Sequence, residues 1–134
     1  METDSQGKLA FLPTATRDRY TFGGWYTQAE GGEEITTSYV FTEDTTVYAH
    51  WNVIHVTGVA LDKTYLSLGC GTFAILTATI SPSEATDTSV SWFSSDPSVA
   101  TVSNGTVSTI SAGTAIITVT TTDGGYTATC TVEV

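Results

Sequence analysis

The chain has 134 residues, room for one domain or two small ones, and sets four Lys and Arg against fourteen Asp and Glu for a net charge of −10. That balance argues against nucleic acid or an anionic membrane surface as partner, because both are held by clustered cations, and no apolar run approaches the ~20 residues that span a bilayer. Only 13% of the residues are charged while 28 are Thr, a stiff β-branched residue suited to pleated surfaces, so long solvent-facing helices are not expected.

Two textures meet near Asn52. Residues 1–52 are rich in rings (Tyr20, Phe22, Trp25, Tyr26, Tyr39, Phe41, Tyr48 and Trp51). Strands are predicted over Tyr20–Tyr26 and Thr46–Trp51, with polar Glu30-Gly31-Gly32-Glu33 between them and room for one short helical turn. A unit of about 52 residues has a marginal core and is expected to lean on its neighbour or on a further strand.

Residues 53–134 alternate with period two. Val59, Leu61, Leu66 and Leu68 open the segment, and Ala74, Leu76, Ala78 and Ile80 share one face of a strand that Ser81-Pro82-Ser83 stops. Val90 and Trp92 mark the next strand, ended by Ser94-Ser95-Asp96-Pro97. Ala100 and Val102 lead into Asn104-Gly105, a pair that accepts positive φ and signals a tight hairpin. Val107 and Ile110 follow. Ala115, Ile117 and Val119 alternate up to Asp123-Gly124-Gly125, and Tyr126, Ala128, Cys130, Val132 and Val134 run to the end. About seven short strands with turn signals every 8–12 residues are the pattern of a β-sandwich.

Residue types that carry chemistry are sparse. Trp25 and Trp51, with Tyr26 and Tyr48, offer either an aromatic platform for a sugar or peptide or the core of a tiny domain, and core is the expected role because each large ring buries roughly 150–250 Å². No metal is expected: Glu33, Glu34, Glu43, Asp44, Asp87, Asp96 and Asp123 are scattered outside any calcium-loop spacing, and His50 and His55 lack a neighbouring Cys to complete a zinc set. No nucleophile elbow and no phosphate-cradling loop after an apolar strand occurs, so neither catalysis nor a cofactor is expected.

Residues 56–134 resemble the group 2 bacterial immunoglobulin-like domains. The resemblance rests on Val56-Thr57-Gly58-Val59-Ala60-Leu61-Asp62-Lys63, Leu76-Thr77-Ala78-Thr79-Ile80-Ser81-Pro82, Val90-Ser91-Trp92, Ser94-Ser95-Asp96-Pro97-Ser98-Val99-Ala100-Thr101-Val102, Asn104-Gly105-Thr106-Val107 and Asp123-Gly124-Gly125-Tyr126-Thr127-Ala128-Thr129-Cys130. Residues 7–51 resemble the Listeria–Bacteroides repeat, seen also as the B repeat of internalin-type proteins, through Leu12-Pro13-Thr14, Tyr20-Thr21-Phe22-Gly23-Gly24-Trp25-Tyr26, Gly31-Gly32 and Glu43-Asp44-Thr45-Thr46-Val47-Tyr48-Ala49-His50-Trp51. That family opens with a further strand ending in Gly-Gly, which is expected to be missing here. The resemblances imply a mainly β chain: a small β-grasp-like repeat domain over 1–52, then an immunoglobulin-like β-sandwich over 53–134.

In such a sandwich Trp92 occupies the position of the central core Trp. The strand ending near Cys70 would run beside the final strand, so Cys70 and Cys130 either form a disulfide or stay separate, with Cys130 as a small buried hydrophobe on the face of Ala128 and Val132. Both families imply a modular bacterial protein that is secreted or on the cell surface. Met1-Glu2-Thr3-Asp4 is unlike a signal peptide, so export and anchoring signals are expected outside this segment. The expected role is a non-catalytic, monomeric spacer or stalk whose partners are neighbouring domains of the same protein. The junction Asn52–Val56 has no Gly or Pro run, which suggests limited hinge freedom. The alternative is an adhesive module that itself binds a host or environmental glycan or protein.

Overall fold

Alternation in the sequence becomes twelve strands and no helix in the computed structural model, which describes every residue from Met1 to Val134. The mainly β expectation is met, and the short helical turn allowed for in the first half does not form. The chain divides into two compact units, Met1–Ile54 and His55–Val134.

Unit 1 is an antiparallel sheet of β1 (Tyr20–Tyr26), β2 (Glu34–Ile35) and β3 (Tyr48–Val53) in the order β2-β1-β3. The last strand starts and ends two residues later than predicted, because Thr21↔Asn52 and Tyr20↔Val53 extend the ladder into the supposed junction. The register shifts between Phe22 and Gly24. This bulge places Phe22 and Trp25, three residues apart, on one face of the sheet, opposite Trp51 and Ala49. Leu9 and Ile35 are the buried aliphatic residues of the unit.

Unit 2 contains β4 (Gly58–Leu61), β5 (Tyr65–Ser67), β6 (Phe73–Ile75), β7 (Ala78–Ser81), β8 (Val90–Ser94), β9 (Ala100–Ser103), β10 (Thr106–Thr109), β11 (Thr114–Thr121) and β12 (Thr127–Glu133). One sheet runs β5-β12-β11-β8, and the others are β6-β10-β9 and β4-β7. Leu66, Ala115, Ile117, Cys130 and Val132 from the first sheet bury with Ala100 and Val107 from the second, together with Leu76 and Val99. Stacked sheets closing on a shared core make this unit the expected sandwich.

Ala74–Ile80 is two strands, not one. β6 pairs with β10 and β7 with β4, and the chain changes sheets at Leu76-Thr77. The alternation continues across the break: Leu76 is buried, Ala74, Ala78 and Ile80 are half-buried, and Phe73, Ile75, Thr77 and Thr79 are exposed. Side-chain period thus identifies the buried face, but it is blind to which partner a strand pairs with. Asp62 stitches the crossover, its N–H donating to Thr77 O (3.1 Å) and its Oδ1 accepting from Thr77 N–H (2.8 Å).

Asn104-Gly105 forms the predicted two-residue turn between β9 and β10, with φ of 48° and 83°. Its glycine is required for a second reason: a Cβ there would lie 2.4 Å from the carbonyl oxygen of Leu76. The buried hydroxyls are all bonded. Ser94 donates to Ala100 O (2.6 Å), Thr109 to Gly69 O (2.7 Å) and Thr121 to Asp123 O (2.7 Å).

Candidate functional site

The four rings considered as one platform lie on both sides of the unit 1 sheet. Phe22 meets Trp25 and Trp51 edge-on, with centroids 5.5 and 5.9 Å apart, and the Trp25 indole N–H donates to Pro13 O at 2.8 Å. Tyr26, the next residue along β1, points to the opposite face and stacks on His50 at 3.7 Å with planes 6° apart. Tyr48 lies opposite Tyr26 in the register. Trp25, Trp51 and Tyr26 are half-buried, and their faces or polar atoms are engaged by neighbours within the unit. Also in unit 1, a cavity of about 730 Å³ has Leu9, Phe41 and Val47 in its lining with Glu2, Glu43 and Asp44.

In unit 2, Trp92 lies on the edge strand β8 opposite Val119, half-buried and packed against the core cluster. Trp92 thus reaches the core cluster from the outer strand of its sheet.

Cys70 and Cys130 are both free thiols. The parallel register of β5 with β12 sets Ser67 level with Glu133. Cys130 therefore lies three residues back along β12, while Cys70 lies three residues beyond β5, where its thiol donates to Ile110 O (2.8 Å). Strands sit side by side as the family resemblance implied, but the thiols fall at opposite ends of the shared stretch. Cys130 is buried, and desolvation raises its thiol pKa above the ordinary value.

The imidazoles belong to different units and have separate partners. His50 Nε2 lies 2.9 Å from Gln28 O, and His55 Nδ1 lies 3.2 Å from both carboxylate oxygens of Asp123. No three His, Cys, Asp or Glu side chains form a metal-binding group. The carboxylates instead organise backbone. Asp123 is held below the usual aspartate range first by the Val56 N–H (2.8 Å) and then by His55. Asp62 is lowered by the Thr77 N–H and then by Lys63, Asp96 by the Ser98 hydroxyl and N–H, and Asp4 by the N–H groups of Lys8 and Gln6. This network was invisible in the sequence, except that Asp two residues before Ser is a recognisable turn-forming pattern.

The profile of the bacterial Ig-like domain (group 2) matches residues 55–132, more than half of the chain. The chain belongs to that family. The group 2 Ig-like segment follows a match to the Listeria-Bacteroides repeat domain over residues 1–50. A Clostridium acetobutylicum protein of uncharacterized function is 46% identical over 69 residues, 51% of this chain and 17% of its own length. An Ig-like virion protein of Serratia phage KSP90 is 39% identical over 84 residues, covering 61% of this chain and 33% of the relative. An alpha-L-arabinofuranosidase of Bifidobacterium longum is 55% identical over 51 residues, 37% of this chain and 5% of the enzyme. The chain thus matches a third or less of the length of each of these relatives, as a module does. Group 2 Ig-like and Listeria-Bacteroides domains are non-catalytic modules found in surface or secreted bacterial proteins.

Proposed function

We propose that the chain is a non-catalytic spacer within a longer exported bacterial protein, holding neighbouring domains apart. The observation that carries this reading is the placement of the two ends of unit 2. Val56 donates to Asp123 in the hairpin before β12, whereas Val134 exchanges two backbone bonds with Gly113 just beyond the other end of that strand (2.9 and 3.0 Å). The polypeptide enters at one end of β12 and leaves at the other, so each sandwich adds the length of its strands to the reach of the protein. In this reading Trp25, Trp51 and Trp92 serve packing, the partners are flanking domains of the same polypeptide, and the chain is monomeric.

A replacement experiment in the full-length protein separates this role from adhesion. Exchanging residues 55–134 for an unrelated sandwich of equal strand length is expected to preserve surface display of the distal domain, whereas deleting them shortens its reach. Loss of cell or glycan binding on exchange, with display unchanged, would instead assign recognition to this segment.

A further inference from the structure

We propose that the open edge of β6 is a self-pairing surface, fitted to the same edge of a second copy, and that Asp62-Lys63 keep it closed; this rests on the monomeric spacer reading above. β6 and β7 behave as one strand in the direction of their backbone groups. The even-numbered residues turn towards β10: Thr109 N–H donates to Thr72 O (2.9 Å) and Leu76 N–H to Gly105 O (2.8 Å), flanking the Ala74↔Val107 pair. The odd-numbered residues turn the other way. There β4 covers Ser81 and Thr79, and Asp62 ends the ladder on Thr77. The chain then leaves for β5, so Ile75 and Phe73 direct their N–H and C=O groups to a side with no strand. These two residues are 58% and 69% exposed. An open edge that carries large apolar side chains is a template for pairing with another chain.

The edge is self-complementary. Two copies related by a two-fold axis at Ala74 would set Phe73 of each opposite Ile75 of the other. Both residues present their polar groups outward, so each such pair would exchange both of its backbone bonds, with Ile75 O as an acceptor in each copy. The side chains would meet as aromatic and β-branched cross-strand partners, a favourable combination. Lys63 stands in the way. It is the only Lys or Arg after Arg19, and its Nζ donates to Ile75 O (3.3 Å) and to the Asp62 carboxylate (3.0 Å). It occupies the acceptor that self-pairing requires, and pairing would also bring the ammonium groups of both copies to one short interface. Asp62, fixed by its two bonds to Thr77, holds Lys63 in place.

The test is sedimentation velocity of the full 134-residue chain over a concentration series, beside hydrogen exchange of its backbone amides. Wild type and Lys63→Arg, which keeps a cationic donor, are expected to sediment at 14.1 kDa throughout. Lys63→Met keeps the length of the side chain but loses the donor. It is expected to move towards twice that mass as concentration rises, with exchange at the Phe73 and Ile75 amides slowed about tenfold or more in the dimer. Adding Ile75→Lys to Lys63→Met puts a charge back on the edge and is expected to restore the monomer, which separates pairing from misfolding. The cap is overturned if Lys63→Met stays monomeric, or if it dimerises while the Phe73 and Ile75 amides exchange as in wild type. A wild type already at twice the monomer mass would end the monomeric reading and the cap together, whereas either result with Lys63→Met ends the cap alone.

Discussion

The main-chain N–H of Val56 donates to the carboxylate of Asp123 at 2.8 Å, joining the first buried residue of unit 2 to a hairpin 67 positions further along the chain. The same carboxylate faces His55. Asp123→Ala should lower the thermal midpoint of unit 2 at neutral pH, and Asp123→Asn, which keeps an acceptor for Val56, should lower it less.

The pH dependence has a definite sign. A carboxylate whose native pKa lies below its unfolded value stabilises the fold above that unfolded value, about 3.9, and ceases to do so as pH falls through the native one. The midpoints of wild type and Asp123→Ala should therefore differ at pH 7 and converge in strong acid. Asp4, Asp62, Asp87 and Asp96 are shifted the same way, so wild type itself should lose stability on acidification below about pH 4. A gap between the two proteins that is as wide in strong acid as at neutrality would refute the assignment.

Truncating Trp92 to Ala should cost about 3 kcal/mol by urea denaturation, the lower end of the range for large aromatic truncations, because the ring is half-buried on an edge strand. Ile117→Ala, at a fully buried position of a central strand, should cost a comparable ~3–4 kcal/mol despite removing fewer atoms. A Trp92 penalty well under 1 kcal/mol would mean that the ring does not serve the core.

Two glycines with positive φ should respond differently to alanine. Gly125 has φ of 64° and open space around its missing Cβ, so Gly125→Ala should cost only the left-handed backbone penalty, about 1 kcal/mol. Gly105→Ala adds a contact 2.4 Å from Leu76 O to the same penalty and should cost distinctly more in the same denaturation assay.

Thiol chemistry should report one cysteine at a time. Cys70 is exposed and should react promptly with a colorimetric thiol reagent in the native protein. Cys130 is buried, with its thiol pKa raised by desolvation, and should react only after denaturation. Intact mass should be the same with and without reductant; a 2 Da change would show that the cysteines had paired.

The inward face of unit 2 was legible because its residues obey a local rule: Ala115, Ile117, Val119, Cys130 and Val132 alternate with exposed or half-buried neighbours and are buried or line the core. The turn at Asn104-Gly105 was legible for the same reason, since positive φ is a property of the two residues themselves. What escaped depends on distant partners. The sheet change at Leu76-Thr77 is set by β4 and β10, the bulge that unites Phe22 with Trp25 is set by β3, and the grip of Asp123 on Val56 spans nearly the whole unit. The ring platform dissolved for a related reason, because Trp25 and Tyr26 are adjacent and a strand sends adjacent side chains to opposite faces.

The most direct measurement is the distance between the two ends of unit 2, by pulsed electron paramagnetic resonance on spin labels at Thr57→Cys and Val134→Cys in a Cys70→Ser background. If the polypeptide enters beside Asp123 and leaves beyond the far end of β12, the labels should be separated by at least the length of that strand, about 24 Å for seven residues. A distribution centred near 10 Å would place both ends on the same side of the sandwich, and the spacer would add no reach.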